Sequence, residues 1–166
     1  DRSDRSDRHE RHDRYELYDL YAGTGAVAAV VASVLEERLA LRPTLLHAVE
    51  PDRSSSRFLE ENLADYPTRI YRRPVESALR RLPPPGARSV VILDPPRAGV
   101  SKPVLSFLLS HPPGVLVYVS CDPSTLARDL RALSRRYEIG PLLPFDFFPQ
   151  TSHLEALVIL RPRAAA

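Results

Sequence analysis

From Tyr15 onward, short apolar runs alternate with segments of helical periodicity, and this alternation constrains the fold more than any other feature of the chain. Strands are expected at about Tyr15–Tyr21, Thr44–Val49, Thr68–Tyr71, Ser89–Leu93 and Val115–Val119. Helices are expected between them, at Ala26–Leu39, Ser54–Ala64, Val75–Arg81, Lys102–Ser110 and Ser124–Arg136. A strand followed by a helix, repeated five times, is the rhythm of a mostly parallel α/β sheet whose crossover helices cover both faces. The last two runs, about Tyr137–Pro144 and His153–Leu160, are joined by a short Pro- and Phe-containing connection, which predicts an antiparallel hairpin at one sheet edge. Pro83-Pro84-Pro85-Gly86 reads as a stiff loop inside this pattern and not as a domain linker.

The chain has 166 residues, enough for one domain with a substantial core and too few to expect two. Asp1 to Arg14 repeats Asp-Arg-Ser and contains no aliphatic residue, so it reads as a mobile charged tail ahead of a single domain at 15–166. No apolar run approaches the length of a bilayer span, which argues against a membrane protein. Cys121 is the only cysteine; one thiol can form neither an internal disulfide nor a metal or iron–sulfur site alone, which suits a reducing, cytoplasmic setting without a metal. The formal charge is only +2, with Arg supplying every basic side chain except Lys102, a balance compatible with RNA and equally with an ordinary solvated surface. Oligomeric state is not legible at this level.

Three segments carry chemistry. In Asp19-Leu20-Tyr21-Ala22-Gly23-Thr24-Gly25 the two glycines let the chain turn tightly between the first strand and first helix and approach a ligand closely. Glu50 ends the second strand, where an acid can accept hydrogen bonds from two ribose hydroxyls. No basic residue follows the glycines to hold a pyrophosphate, which favours an adenosyl ligand without phosphates over a dinucleotide. Asp94 ends the fourth strand, and Pro95-Pro96-Arg97 then fixes an exposed loop at the same edge. Cys121 follows the fifth strand and precedes a helix that Asp122 or Ser124 can cap, with Pro123 in its first turn. The positive end of that helix dipole favours a thiolate, although a lone cysteine serves more simply as a small buried hydrophobe.

Read together, Val90-Val91-Ile92-Leu93-Asp94-Pro95-Pro96-Arg97, the Cys121 segment, and Phe148-Pro149-Gln150-Thr151-Ser152-His153-Leu154-Glu155 resemble, in this order, the catalytic half of the RNA uracil-C5 methyltransferase family. The resemblance implies a Rossmann-like class I methyltransferase fold and S-adenosylmethionine as methyl donor. It also implies a uridine of tRNA or ribosomal RNA as substrate. By the same resemblance Tyr21, Gly23, Gly25 and Glu50 contact the cofactor, Asp19 supports the turn, Asp94 lies beside methyl donor and target base, and Arg97 meets RNA. Carbon 5 of uracil is a poor nucleophile; Cys121 would add to C6, and Glu155 would remove the C5 proton after methyl transfer. The competing role for Glu155 is a solvent-facing strand residue in Leu154-Glu155-Ala156-Leu157, and His153 is expected to orient neighbours and not to bind metal.

Several features depart from the family pattern. Ala22 stands where the family often has Cys, the upstream segment with a cofactor-contacting Gln is missing, and Tyr71-Arg72-Arg73-Pro74-Val75-Glu76 offers no clear partner for adenine. Two alternatives therefore stand beside uracil methylation: a truncated non-catalytic remnant that binds S-adenosylmethionine or RNA, and a methyltransferase for another substrate in which Cys121 is structural. Related cytosine-C5 enzymes commonly use two cysteines, and amino-group methyltransferases place an aromatic residue where Arg97 stands.

Overall fold

The structure, a computed structural model, describes residues 14–147, 150 and 154–164. The expected charged tail before Arg14 and the expected role of His153 lie outside them. Seven strands form one sheet in the order β3-β2-β1-β4-β5-β7-β6. These are β1 (Arg14–Leu20), β2 (Arg42–Val49), β3 (Thr68–Tyr71), β4 (Ser89–Leu93), β5 (Val115–Ser120), β6 (Tyr137–Phe145) and β7 (Glu155–Pro162). The first five pair in parallel, while β7 runs antiparallel to both β5 and β6. The expected mostly parallel sheet with a C-terminal antiparallel hairpin is thus the observed one, and β1 opens at Arg14, one residue earlier than its apolar pattern suggests.

Five helices connect the parallel strands: α1 (Ala26–Leu39), α2 (Arg53–Asn62), α3 (Val75–Ala78), α4 (Lys102–Ser110) and α5 (Pro123–Leu133). Strand alternation distributes them to two faces. Leu17, Leu46 and Ile92 point toward α1 and α2, with Ala28, Ala32, Leu59 and Leu63 packed on them. Tyr18, Leu93, Leu116 and Tyr118 point the other way, against Val75, Val104, Leu108, Leu126 and Leu133 of α3, α4 and α5. The central strands are buried on both sides, which is why they read as continuous apolar runs with no alternation. Helix α3 ends at Ala78, short of the expected Arg81: the chain breaks into turns that still bury Leu82, and the prolines that follow cannot donate to a continued helix. Strand β7 begins at Glu155, two residues later than expected.

The two faces differ in completeness. On the α1 side, Val115, Val117 and Val119 of β5 and Leu157 and Ile159 of β7 are only partly covered. A cavity of about 540 Å³ opens there between α1 and the sheet, lined by Val31, Leu35, Val117 and Ile159 among others. No helix among the described residues is long and apolar enough to cross a membrane.

Candidate active site

Register sets where the strands finish. Leu20 of β1 is level with Val49 of β2 and with Leu93 of β4, and Leu93 is level with Tyr118 of β5. Residues following these ends therefore share one edge of the sheet, the edge at which ligands bind in parallel α/β folds. Tyr21, Glu50, Asp94 and Cys121 all leave their strands there.

Backbone geometry dominates the turn after β1. Tyr21, Gly23 and Gly25 have φ of 83°, 53° and 78°. A positive φ is natural for glycine and costs a tyrosine about 1–3 kcal/mol, strain of the kind that persists where surrounding contacts demand it. The turn is held by Ala22 N–H to the Val49 carbonyl at 2.9 Å, by Gly25 N–H to the Ala22 carbonyl at 2.7 Å, and by Asn62, which donates to the Thr24 carbonyl at 2.9 Å. At Gly25 an added Cβ would press on Leu59 and Leu63 at 3.2 and 3.3 Å, whereas at Gly23 it would meet open space. Gly25 thus serves packing of α1 on α2, and Gly23 leaves room above the turn.

Glu50 is half-buried and reaches back into this turn. One carboxylate oxygen accepts Gly23 N–H at 2.8 Å and the other accepts Asp52 N–H at 2.7 Å. Each oxygen retains a further lone pair, so the backbone orients the acid without exhausting it. Asp19 is buried with both oxygens lacking a hydrogen-bond partner among the described residues. Burial first, then the charges of Asp94 and Glu50, push its carboxyl up to about 7, with only the Ala28 amide near enough to oppose the shift. An orphaned buried carboxylate under an open glycine turn, next to two more acids, fits a cationic ligand such as the ammonium of an amino-acid moiety, and fits a phosphate badly.

The other half of the edge carries Cys121. Cys121 lies between Ser120, the last residue of β5, and Asp122, the N-cap of α5, whose Oδ1 accepts Ser124 N–H and Thr125 N–H at 2.9 Å each. Of the two expected caps, Asp122 is the one used. The thiol is partly exposed and free. The β5–β7 ladder ends with Ser120 opposite Ala156, so Cys121, which follows Ser120, and Glu155, which precedes Ala156, flank its last rung. Glu155 is half-buried; after desolvation, its charge is what raises the carboxyl of Asp94 above the usual range. Asp94 itself opens to solvent at the start of the proline loop.

The edge thus gathers Asp19, Tyr21, Gly23, Gly25, Glu50, Asp94, Cys121 and Glu155, the residues that the sequence suggests for cofactor binding and catalysis. Tyr21 contributes its strained backbone; burial, then Glu76 and Asp129, push its phenol up to about 12. No group of His, Cys, Asp and Glu among the described residues is arranged to hold a metal. One buried acid escaped sequence reading: Asp129, fully buried on the inward stripe of α5 between Leu126 and Leu133. An acid at an apolar stripe position was the available signal.

Comparison with known proteins agrees with this geometry. Residues 85–163 match the sequence profile of the tRNA (Uracil-5-)-methyltransferase family. An uncharacterized RNA methyltransferase of Parasynechococcus marenigrum is 50% identical over 76 residues, 44% of this chain and 16% of that protein. One from Listeria innocua is 49% identical over 73 residues, again 44% of this chain and 16% of the relative, so the match spans a small part of each relative's length. The crystal structure of Pyrococcus abyssi tRNA (uracil-54, C5)-methyltransferase in complex with S-adenosyl-L-homocysteine superposes with a TM-score of 0.69 at 27% identity, over 88% of this chain and 34% of that one. A class I S-adenosylmethionine-dependent methyltransferase of Listeria monocytogenes shares the fold at a TM-score of 0.68 and 16% identity, covering 93% of this chain and 55% of its own. Residues 85–163 of this chain therefore resemble the tRNA (Uracil-5-)-methyltransferase family, and the chain carries the class I methyltransferase fold.

Proposed function

We propose that residues 15–166 form the catalytic domain of an S-adenosylmethionine-dependent enzyme that methylates C5 of a uridine in tRNA or ribosomal RNA. The observation that carries this reading is the end of the β5–β7 ladder, whose last rung is flanked by a free, partly exposed thiol and a half-buried carboxylate at the edge where the glycine turn and three further acids converge. S-adenosylmethionine supplies an electrophilic methyl on a sulfonium. Glu50 would hold its ribose hydroxyls, Gly23 gives the backbone room to approach, and the Asp19 carboxylate would take its ammonium. Asp94 lies between this pocket and Glu155, and Arg97 on the exposed loop meets the RNA backbone.

The Cys121 thiolate adds to C6 of the uracil, breaking the C5–C6 double bond and placing an electron pair on C5. That pair would form the new C–C bond to the methyl as the methyl–sulfur bond breaks and its electrons stay on the sulfur, leaving S-adenosylhomocysteine. Glu155 then removes the C5 proton, the C5–C6 double bond re-forms, and the thiolate leaves. Incubation of the chain with 5-fluorouridine RNA and S-adenosylmethionine tests the sequence of steps. Fluorine at C5 cannot leave as a proton, so a cofactor-dependent adduct at Cys121 is expected to accumulate. A chain that binds S-adenosylhomocysteine but yields no adduct would contradict the reading and return Cys121 to a structural role.

A further inference from the structure

The loop 95–100 connects Asp94 to helix α4, and a side chain from α5 holds it in place. Asp129 is completely buried at a position where a leucine would cost nothing to desolvate. A carboxylate there is tolerated only when its lone pairs are met. Oδ2 accepts Val100 N–H at 2.8 Å and the Tyr118 hydroxyl at 2.7 Å, and Oδ1 accepts two guanidinium nitrogens of Arg128 at 2.8 and 2.9 Å. Arg128 also donates to the Ala98 carbonyl at 2.9 Å. Between these contacts Gly99 turns with φ of 75°, and an added Cβ would stand 2.6 Å from both the Arg128 guanidinium and the Asp129 carboxylate. Burial and the neighbouring Asp129 push the Tyr118 phenol far above its ordinary value, so it stays a donor.

The clamp ties together two parts of the edge that chain connectivity leaves independent. Arg128 and Asp129 sit on the helix whose N-cap follows Cys121, and Tyr118 sits on the strand leading to it. Ala98, Gly99 and Val100 belong to the loop that carries Arg97 and is rooted at Asp94. We propose that Asp129, acting through Arg128, is a positioning residue that fixes the Asp94–Arg97 side of the pocket against the Cys121 nucleophile. The inference rests on the uracil-methylation reading.

The test uses the whole chain with Arg128→Ala, Arg128→Lys and Asp129→Asn. Arg128 is 56% exposed, so its truncation leaves the core intact. Asp129→Asn keeps an acceptor for Val100 and Tyr118 but turns an N–H toward Arg128. At saturating 5-fluorouridine RNA, Arg128→Ala is expected to slow formation of the Cys121 adduct by about tenfold to a hundredfold, the scale of a small misplacement of reacting groups. Calorimetric affinity for S-adenosylhomocysteine should not change, amide exchange at Val100 should accelerate, and Arg128→Lys should recover part of the rate. Asp129→Asn should slow the reaction at least as much. An unchanged maximal rate, a defect that saturating RNA repairs, or a parallel loss of cofactor affinity would each overturn the positioning role while leaving uracil methylation standing. A wild-type chain that forms no adduct would overturn both.

Discussion

The two halves of this molecule build one site by different means. Before Pro85 the edge is made of backbone: three consecutive odd-numbered residues with positive φ, amides held by Glu50, and a buried carboxylate whose requirement is only a compensating positive charge. After it, the edge is made of particular side chains: a thiol, an acid at the far side of the ladder's last rung, and a clamp between buried Asp129 and Arg128. A turn defined by dihedral angles and the sign of a charge can be written in many sequences, whereas a thiol and the proposed base near it leave few substitutes. The family match accordingly begins at residue 85, although the fold match to the archaeal tRNA methyltransferase covers 88% of the chain.

Separating the halves by mutation gives the largest effect first. Cys121→Ser should abolish the covalent RNA adduct altogether and leave S-adenosylhomocysteine affinity untouched; a calorimetric loss of affinity would show that the halves are not chemically independent. In the same half, Glu155→Gln should permit addition but block release, so that covalent complex accumulates on ordinary uridine RNA, visible on denaturing gels. Wild-type turnover in that variant would remove Glu155 from the mechanism.

Asp19 gives the first half a pH signature. Its carboxyl sits at about 7 in the folded chain against 3.8 ordinarily, so the folded state binds the extra proton between these values. That contribution to stability is complete at acid pH and is lost as pH rises through 7. Asp19→Asn should therefore be more stable than the parent above pH 7, by up to about 4 kcal/mol, less the cost of burying an amide. The advantage should vanish toward pH 3.8, as read by urea unfolding, and cofactor affinity should fall at every pH. Glu50→Ala should weaken S-adenosylhomocysteine binding by about 1.5–3 kcal/mol, the scale of lost charge-assisted hydrogen bonds. Gly25→Ala is the mildest: the left-handed φ and the contacts with Leu59 and Leu63 predict a loss of about 1–2 kcal/mol in thermal unfolding, with the second half's chemistry retained.

The uneven legibility of the sequence follows the same division. Strands such as Ser89–Leu93 and helices such as Lys102–Ser110 fall at their expected bounds because continuous apolar runs between turn residues leave the pattern few alternatives. Helix α3 was overread because its apolar spacing persists through Leu79 and Leu82 after the hydrogen-bonded ladder has given way to turns. Cys121, Glu50 and Asp94 were readable as strand-end residues, since the parallel fold itself brings such positions to one edge. The strain at Tyr21 and the clamp at Asp129 were not, because each depends on what lies across space: a dihedral angle held by neighbouring strands, and an acid that accepts from Val100, 29 positions away in the chain.

The position of β1 has a consequence for how the chain acquires its structure. Leu17 pairs with Leu46 on one side but with Val90 on the other, so the central strand keeps one bare edge until β4 has been made and docked. Closing that long interval is an entropic cost met before the sheet rewards it, whereas the β6–β7 hairpin needs only a short connection. A nascent chain ending ahead of Ser89 presents an apolar strand with unpaired amides and carbonyls, the kind of edge that recruits other chains. The halves that can be separated by chemistry are therefore joined in folding, because the strand that leads into the glycine turn completes its pairing only when β4 docks beside it.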